Sequence, residues 1–275
     1  MDSDPATLDS FGKEWKKFSR FTDKEIKIAG DEYFDIVPKE LVHRNMIALD
    51  VGCGSGRWAR YLSNMAGHVD AIDPSEAIFH AARVHADRRN IRWSKAGTGN
   101  MPFADGTFDL VICLGVLHHV PDTLGALRKV MAKTRPGGHL LLYLYYALDG
   151  RGRSYRALFH ITDFFRRIIS RSPGAVKRTI CDLIAWTIYL PIRTIVRAAK
   201  AIAGTNTWWR QLPLSYYHNK SMRILRNDAL DRFGTPVDKR FTKAQVRSML
   251  EAAGSGPIVF SGNAPYWHVL AQRPL

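Results

Sequence analysis

Leu49-Asp50-Val51-Gly52-Cys53-Gly54-Ser55-Gly56 decides the fold. An apolar run from Ile47 to Val51, of the kind buried in a sheet, leads into glycines at alternate positions and then into a helical stretch from Arg57. Glycines at a strand-to-helix turn let the backbone bend tightly and approach a ligand with no Cβ in the way. The helix N-terminus behind them offers unpaired N–H groups to a polar ligand. A dinucleotide fingerprint spaces its glycines G-x-G-x-x-G, leaving room for a pyrophosphate on the helix. Here the third glycine comes one residue earlier, which suits a ligand without a diphosphate. The next strand ends in Asp70-Ala71-Ile72-Asp73-Pro74-Ser75. An acid placed as Asp73 is can accept the hydroxyls of a ribose, and the plainer alternative is a helix cap. Together the two stretches describe a nucleoside site with no phosphate clamp.

Outward from that loop, short apolar runs alternate with helical stretches. Val69 to Ile72, Ile91 to Lys95, Phe108 to Leu114 and His139 to Tyr145 follow the first strand. Helices are expected at Arg57 to Ala66, Ser75 to Asp87 and Thr123 to Thr134, the last stopped by Pro136 and Gly137. This rhythm predicts a parallel sheet with helices on both faces. Near the end, Thr242 caps a helix from Lys243 to Ala253. Pro257 to Ser261 and Tyr266 to Ala271 then form a hairpin about Gly262-Asn263-Ala264-Pro265. The expected fold is α/β: a doubly wound, mostly parallel seven-stranded sheet with a C-terminal antiparallel hairpin and a helical insertion after the fifth strand.

The insertion changes character. Between Gly150 and Thr235 there are 16 Lys and Arg against 4 Asp and no Glu, so most of the chain's +15 charge sits there. Such a patch suits phosphates, an anionic membrane surface or an acidic substrate, or is a solvated surface. Arg156 to Ser170 and Val176 to Ala203 are expected to be basic helices parted by Ser172-Pro173-Gly174, with Arg193, Arg197 and Lys200 on one face. The apolar run Leu183 to Ile192 contains Pro191 and is too short to span a bilayer. It suits a lid or a helix lying in the membrane interface. Four regions are expected: a helical segment over residues 1–44 covering the cofactor site, with Phe11, Trp15, Phe18 and Phe21 at helical spacing; a core over 45–147; the basic insertion over 148–240; and a closing helix and hairpin over 241–275.

Cys53, Cys113 and Cys181 share no zinc or redox spacing, and an odd count argues against a disulfide framework. The ten histidines form no metal-ligand cluster, so no metal is expected. Met1 to Ser10 is acidic and polar, unlike a secretory signal. A cytoplasmic setting, peripheral at the inner face of a membrane, fits these features.

The glycine loop resembles the signature of the class I, Rossmann-like S-adenosylmethionine-dependent methyltransferases. The likeness continues through Asn100-Met101-Pro102-Phe103-Ala104-Asp105-Gly106-Thr107-Phe108-Asp109, Leu117-His118-His119-Val120-Pro121-Asp122 and Arg135-Pro136-Gly137-Gly138-His139-Leu140, and covers about residues 45 to 146. It implies S-adenosyl-L-methionine as cofactor. Gly52, Gly54 and Gly56, with Cys53 among them, would pass beneath its methionine and sugar. Asp73 would hold the ribose hydroxyls, Pro74 and Ser75 would border the adenine, and Leu114 and Gly115 would lie near the sulfonium. Asp50 would support the loop and reach toward the methionine amino group. Relatives often carry an adenine-binding acid where this chain has Gly97, which leaves that role to main-chain groups or the Thr98 hydroxyl.

Methyl transfer is largely a matter of positioning a nucleophile in line with the methyl group. A hydroxyl acceptor also needs a base. His118 and His119 follow the fourth strand at the sheet's carboxyl edge and are the candidates, although a packing or capping role is the alternative. Tyr216-Tyr217-His218 and Tyr266-Trp267-His268 are candidate acceptor-pocket residues. The expected partner is a small-molecule or lipid-linked acceptor, in natural-product or surface-glycan assembly. A nucleic-acid or protein methyltransferase using the basic insertion is the second reading, though Cys113-Leu114-Gly115-Val116 lacks the Asn-Pro-Pro-Tyr type of loop. A non-catalytic binding module of a membrane-associated complex is the third.

Overall fold

The structure, a computed structural model, describes residues 21–147, 152–235, 237–263 and 267–275. Phe11, Trp15, Phe18, Tyr266 and the turn residues Ala264 and Pro265 lie outside them. The chain divides into a core unit, Met1–Asp149 with Val237–Leu275, and a helical unit, Gly150–Pro236.

The core unit is a seven-stranded sheet in the order β3-β2-β1-β4-β5-β7-β6. Its strands are β1 (Ile47–Val51), β2 (His68–Asp73), β3 (Ile91–Lys95), β4 (Phe108–Leu114), β5 (Thr134–Tyr143), β6 (Ile258–Phe260) and β7 (His268–Gln272). β1 to β5 pair in parallel, whereas β7 runs antiparallel to both β5 and β6. The expected fold class is therefore the one observed. Side chains alternate along each strand as the pleat requires. Leu49, Val51, Val111, Cys113, Leu140 and Leu142 pack toward α4 (Thr123–Lys133) and α9 (Lys243–Ala252). Ala48, Val69, Ala71, Leu110, Ile112 and Leu141 pack on the opposite face, toward α1 (Asp23–Tyr33), α2 (Arg57–Ser63) and α3 (Ala77–Val84). The order of the strands reverses between β1 and β4, so the crevice at their carboxyl ends is a topological switch point.

Capping places the helices. Thr22 and Glu25 form a capping box on α1, and Thr242 with Gln245 forms one on α9, as the threonine suggested. The Asp122 carboxylate caps α4 through the Gly125 N–H at 2.9 Å. β5 starts five residues earlier than Pro136 and Gly137 implied. Thr134 pairs with Phe108 and His139 with Leu110, so the intervening residues bulge out of the strand, with Gly137 at a φ of 73°.

The helical unit contains α5 (Arg153–Ile169), α6 (Gly174–Ile184), α7 (Leu190–Ala203) and α8 (Met222–Gly234). Ala185–Tyr189 joins α6 to α7 as a π turn, so Gly174–Ala203 is one 30-residue helix. The Leu190 N–H donates to Ala185 O five residues back. That wider turn relieves the clash a proline makes with the preceding turn, and Pro191 continues the helix. The apolar run Leu183 to Ile192 is therefore part of a longer helix that, by length and composition, is long and apolar enough to cross a bilayer.

Candidate functional site

The glycine loop sits at the switch point. Gly52, Gly54 and Gly56 have φ values of 75°, 52° and 78°, a region that side-chain-bearing residues seldom adopt. The Gly52 and Cys53 N–H groups donate to Ile72 O at 2.8 and 2.9 Å, which ties the loop to the end of β2. A Cβ on Gly52 would come within 2.5 Å of Val116, and one on Gly56 within 2.6 Å of Trp93. The glycines are therefore required by the protein's own packing as well as by backbone conformation.

Asp73 closes the loop from the next strand. Its Oδ2 accepts from the Gly54 N–H at 2.9 Å, while Oδ1 accepts from the Ser75 N–H at 2.8 Å and the Ser75 hydroxyl at 2.6 Å. Burial raises its pKa, and those hydrogen bonds from Ser75 and Gly54 oppose the rise. A carboxylate accepts about four hydrogen bonds, so acceptor capacity remains for a ligand hydroxyl. Asp73 thus also makes the local turn that the capping alternative foresaw.

Asp50 lies beneath the loop and is 1% exposed. Desolvation pushes its pKa up to about 8; the Ala59 N–H and Arg57 lower it, and Asp73 adds to the rise. Its Oδ2 has no hydrogen-bond partner, and neither has the buried Ser55 hydroxyl. Asp50, near the end of β1, and Ser55, in the loop that follows, thus keep bonding capacity for a polar ligand. The Cys53 thiol is buried and desolvation holds it well above the ordinary thiol range, which makes it inert.

Around this loop the structure adds His85 and Trp93, which the sequence did not single out, to the expected positions. His85 Nε2 lies 3.0 Å from Ser55 O, and its ring stacks on Trp93 at 5.9 Å, behind Gly56. Gly97 N donates to Asn100 Oδ1 at 2.8 Å, and a Cβ on Gly97 would lie 3.5 Å from Pro74. Side chains thus border the position where relatives carry an acid. Thr98 is buried. Gly115, with a φ of 80°, has nothing within 4 Å of where a Cβ would stand, so there is open space beside Leu114 at the end of β4.

The two candidate histidines occupy a short 3-10 turn, Leu117–His119, and both are buried. His118 stacks on Tyr145 at 3.8 Å between ring centres, and neither ring nitrogen has a partner. Desolvation, with the nearby His119 and Arg240, holds its pKa well below the ordinary histidine value. His119 Nδ1 lies 2.6 Å from Val237 O, so that nitrogen carries the proton and donates. Val237 precedes a single bridge to the chain after β5: Phe241 N donates to Tyr145 O at 2.8 Å, and Ala147 N to Phe241 O at 2.9 Å.

An aromatic wall extends from His118 along the end of β5. Tyr143 lies 5.9 Å from Tyr145 and 5.2 Å from Tyr33, which α1 supplies. Tyr33 also meets Trp58 at 4.9 Å and His268 at 5.9 Å. His268 Nε2 is 2.8 Å from Asp35 Oδ1, and Asp35 Oδ2 accepts from Ser261 and Asn263 at 2.7 and 2.8 Å. Desolvation would raise the Asp35 pKa, but these partners outweigh it and leave it lowered. Of the predicted pocket aromatics, His268 joins this wall. Tyr216, Tyr217 and His218 belong to the helical unit, where Tyr217 packs on Tyr189 at 5.4 Å and His218 on Trp209 at 4.8 Å. Among the described residues no group of His, Cys, Asp and Glu is placed to hold a metal.

Residues 49–142 match the family model of a methyltransferase domain. The chain is 33% identical over 100 residues to the ubiquinone biosynthesis O-methyltransferase of Marinobacter nauticus, an alignment covering 34% of this chain and 42% of that one. It is 29% identical over 133 residues to the tRNA U34 carboxymethyltransferase of Nautilia profundicola, covering 47% and 40%. The chain thus spans about two fifths of the length of these curated relatives. Among solved structures, a chain of the complex between the Haloferax volcanii Trm112 methyltransferase activator and its methyltransferase superposes with a TM-score of 0.51 at 13% identity, covering 95% of this chain and 98% of that one, and shows the same fold. The sheet order, the glycine loop at the switch point and this match over residues 49–142 together show a methyltransferase domain in the core unit.

Proposed function

We propose that this chain transfers a methyl group from S-adenosylmethionine to a small-molecule or lipid-linked acceptor, of the kind used in natural-product or surface-glycan assembly. The observation that carries the reading is the aromatic wall of Tyr33, Tyr143, Tyr145 and His118 along the carboxyl edge of the sheet that holds the glycine loop. Apolar rings with a few polar atoms suit a compact organic acceptor. The two relatives are named for different acceptor classes, so they do not choose between them.

The residues present fit the cofactor. Gly52, Gly54 and Gly56 give it close backbone approach, with Cys53 inside the loop, and Asp73 has acceptor capacity for a ribose hydroxyl. The orphaned Asp50 oxygen suits the methionine ammonium, Pro74, Ser75 and Thr98 would border the adenine, and the open space at Leu114 and Gly115 suits the sulfonium. S-adenosylmethionine supplies an electrophilic methyl group, and the chain supplies position and a proton acceptor. His118 is our candidate for that acceptor because both its ring nitrogens are unbonded and its ring stacks on Tyr145 in the wall; His119, its proton held on Nδ1 by Val237, orients the turn.

Purified protein with methyl-labelled S-adenosylmethionine should label soluble or lipid-extractable small molecules and leave tRNA, DNA and protein unlabelled. The basic helical unit favours the second reading, a nucleic-acid acceptor. Label retained in RNA or DNA, with none in the organic extract, would establish that reading instead.

A further inference from the structure

Residues that a water-soluble helix buries point outward in α5. Ile161, Phe164, Phe165 and Ile168 follow the i, i+3, i+4, i+7 spacing of a single helix face and are 57%, 61%, 53% and 54% exposed. The inward side carries charge. Arg166 is buried and donates to Asp163 Oδ1 at 2.7 Å and to Thr235 O at 3.0 Å. The long Gly174–Ala203 helix repeats the inversion. Lys177, Cys181, Ala185 and Ala199 are buried, whereas Leu183, Trp186, Ile195 and Ile202 stand 52% to 82% exposed. Scattered exposed apolar residues are ordinary, but stripes of this length on two helices mark an interaction surface.

We propose that these outward faces dock the protein on an anionic lipid bilayer. Charge decides the occupant. The segment from Gly150 to Thr235 has 16 Lys and Arg, 4 Asp and no Glu, so a second copy of the chain would repel it, while acidic headgroups complement it. Trp and Ile side by side with exposed Arg167, Arg171 and Arg178 is the composition of a helix lying in the membrane interface. The same long helix is tied to its own unit by polar bonds. Arg226 pairs with Asp182 at 2.7 and 2.9 Å, and Arg193 donates to Lys220 O at 2.9 Å. Crossing the hydrocarbon would bury those charges in lipid, so the helix lies on the membrane although it is long enough to cross it. This role is independent of which acceptor is methylated.

The test is cosedimentation of the full chain with phosphatidylcholine vesicles, with and without about 30% phosphatidylglycerol. Wild type should pellet with the anionic vesicles only, and high salt should weaken the binding. Phe164→Ser/Phe165→Ser and Trp186→Ser/Ile195→Ser should each lose about tenfold or more in affinity. Arg171→Gln/Arg178→Gln, which leaves the apolar stripes intact, should lose about thirtyfold. Thermal melts and S-adenosylhomocysteine binding report folding separately in each variant. The proposal fails if anionic vesicles are not bound, or if folded serine variants bind them as wild type does. It also fails if the stripes drive self-association in lipid-free ultracentrifugation, or if RNA is bound while vesicles are not.

Discussion

Asp50→Asn separates the stability of the empty site from its use. In the unfolded chain this carboxyl titrates near 3.8, whereas burial raises it to about 8 in the native protein. Between those values the native state holds a proton that the unfolded state has lost, so stability falls as pH rises, by about 1.4 kcal/mol per pH unit. The full contribution is present below the unfolded value and gone above the native one. At neutral pH the accumulated penalty is about 4 kcal/mol. Asparagine removes the titration and retains an oxygen for the Ala59 N–H, while its amide inherits the unpartnered position of Oδ2 at about 1 kcal/mol. The variant should therefore be about 3 kcal/mol more stable near neutrality, and its advantage should grow by about 3–5 °C in Tm per pH unit. Thermal melts of both proteins from about pH 5 to about pH 8 measure this difference directly. A gap that stays constant across that range, or an Asn variant equally destabilised at each pH, would refute the reasoning. Binding of S-adenosylmethionine should weaken in the same variant, a trade of affinity for stability.

Two further substitutions probe the loop and the wall. Gly52→Ala should lower stability by about 2–4 kcal/mol, combining the strain of a positive φ with the 2.5 Å approach to Val116. Adding Val116→Ala should restore only the steric part, so fully additive losses in denaturant melts would contradict that contact. His118→Phe removes two unbonded buried nitrogens and should hold or raise Tm, while methyl transfer falls about a hundredfold. Turnover within a few-fold of wild type would remove His118 from the chemistry.

The sheet was legible in the sequence because its strands are buried runs closed by glycine or proline. Ile47–Val51 and Phe108–Leu114 needed only composition and spacing. The start of β5 was not legible, since Pro136, Gly137 and Gly138 signal a turn, and only the pairing of Thr134 with Phe108 turns them into a bulge. The helix through Pro191 was expected from Val176 to Ala203, but the way it passes the proline was not legible. A proline ends a regular α-helix, but the preceding π turn is a tertiary accommodation with no sequence mark. At the site, the glycine loop and Asp73 announced themselves by local spacing. The residues that shape the rest meet across the fold. Asp35 and His268 are separated by more than two hundred residues, and Tyr33 reaches Tyr143 only because α1 docks on α2. Periodicity gave the helical unit its two basic helices but not the sense of their apolar faces, which burial alone reveals.

Calorimetric titration with S-adenosylmethionine and S-adenosylhomocysteine, on wild type and Asp73→Ala, tests the central claim most directly. Binding of both ligands by the wild type at about micromolar affinity, lost in a variant that still melts cooperatively, is the predicted result. Equal affinity in Asp73→Ala, or no binding of either ligand to the folded wild type, would contradict the assignment of the glycine loop and Asp73 as the cofactor site.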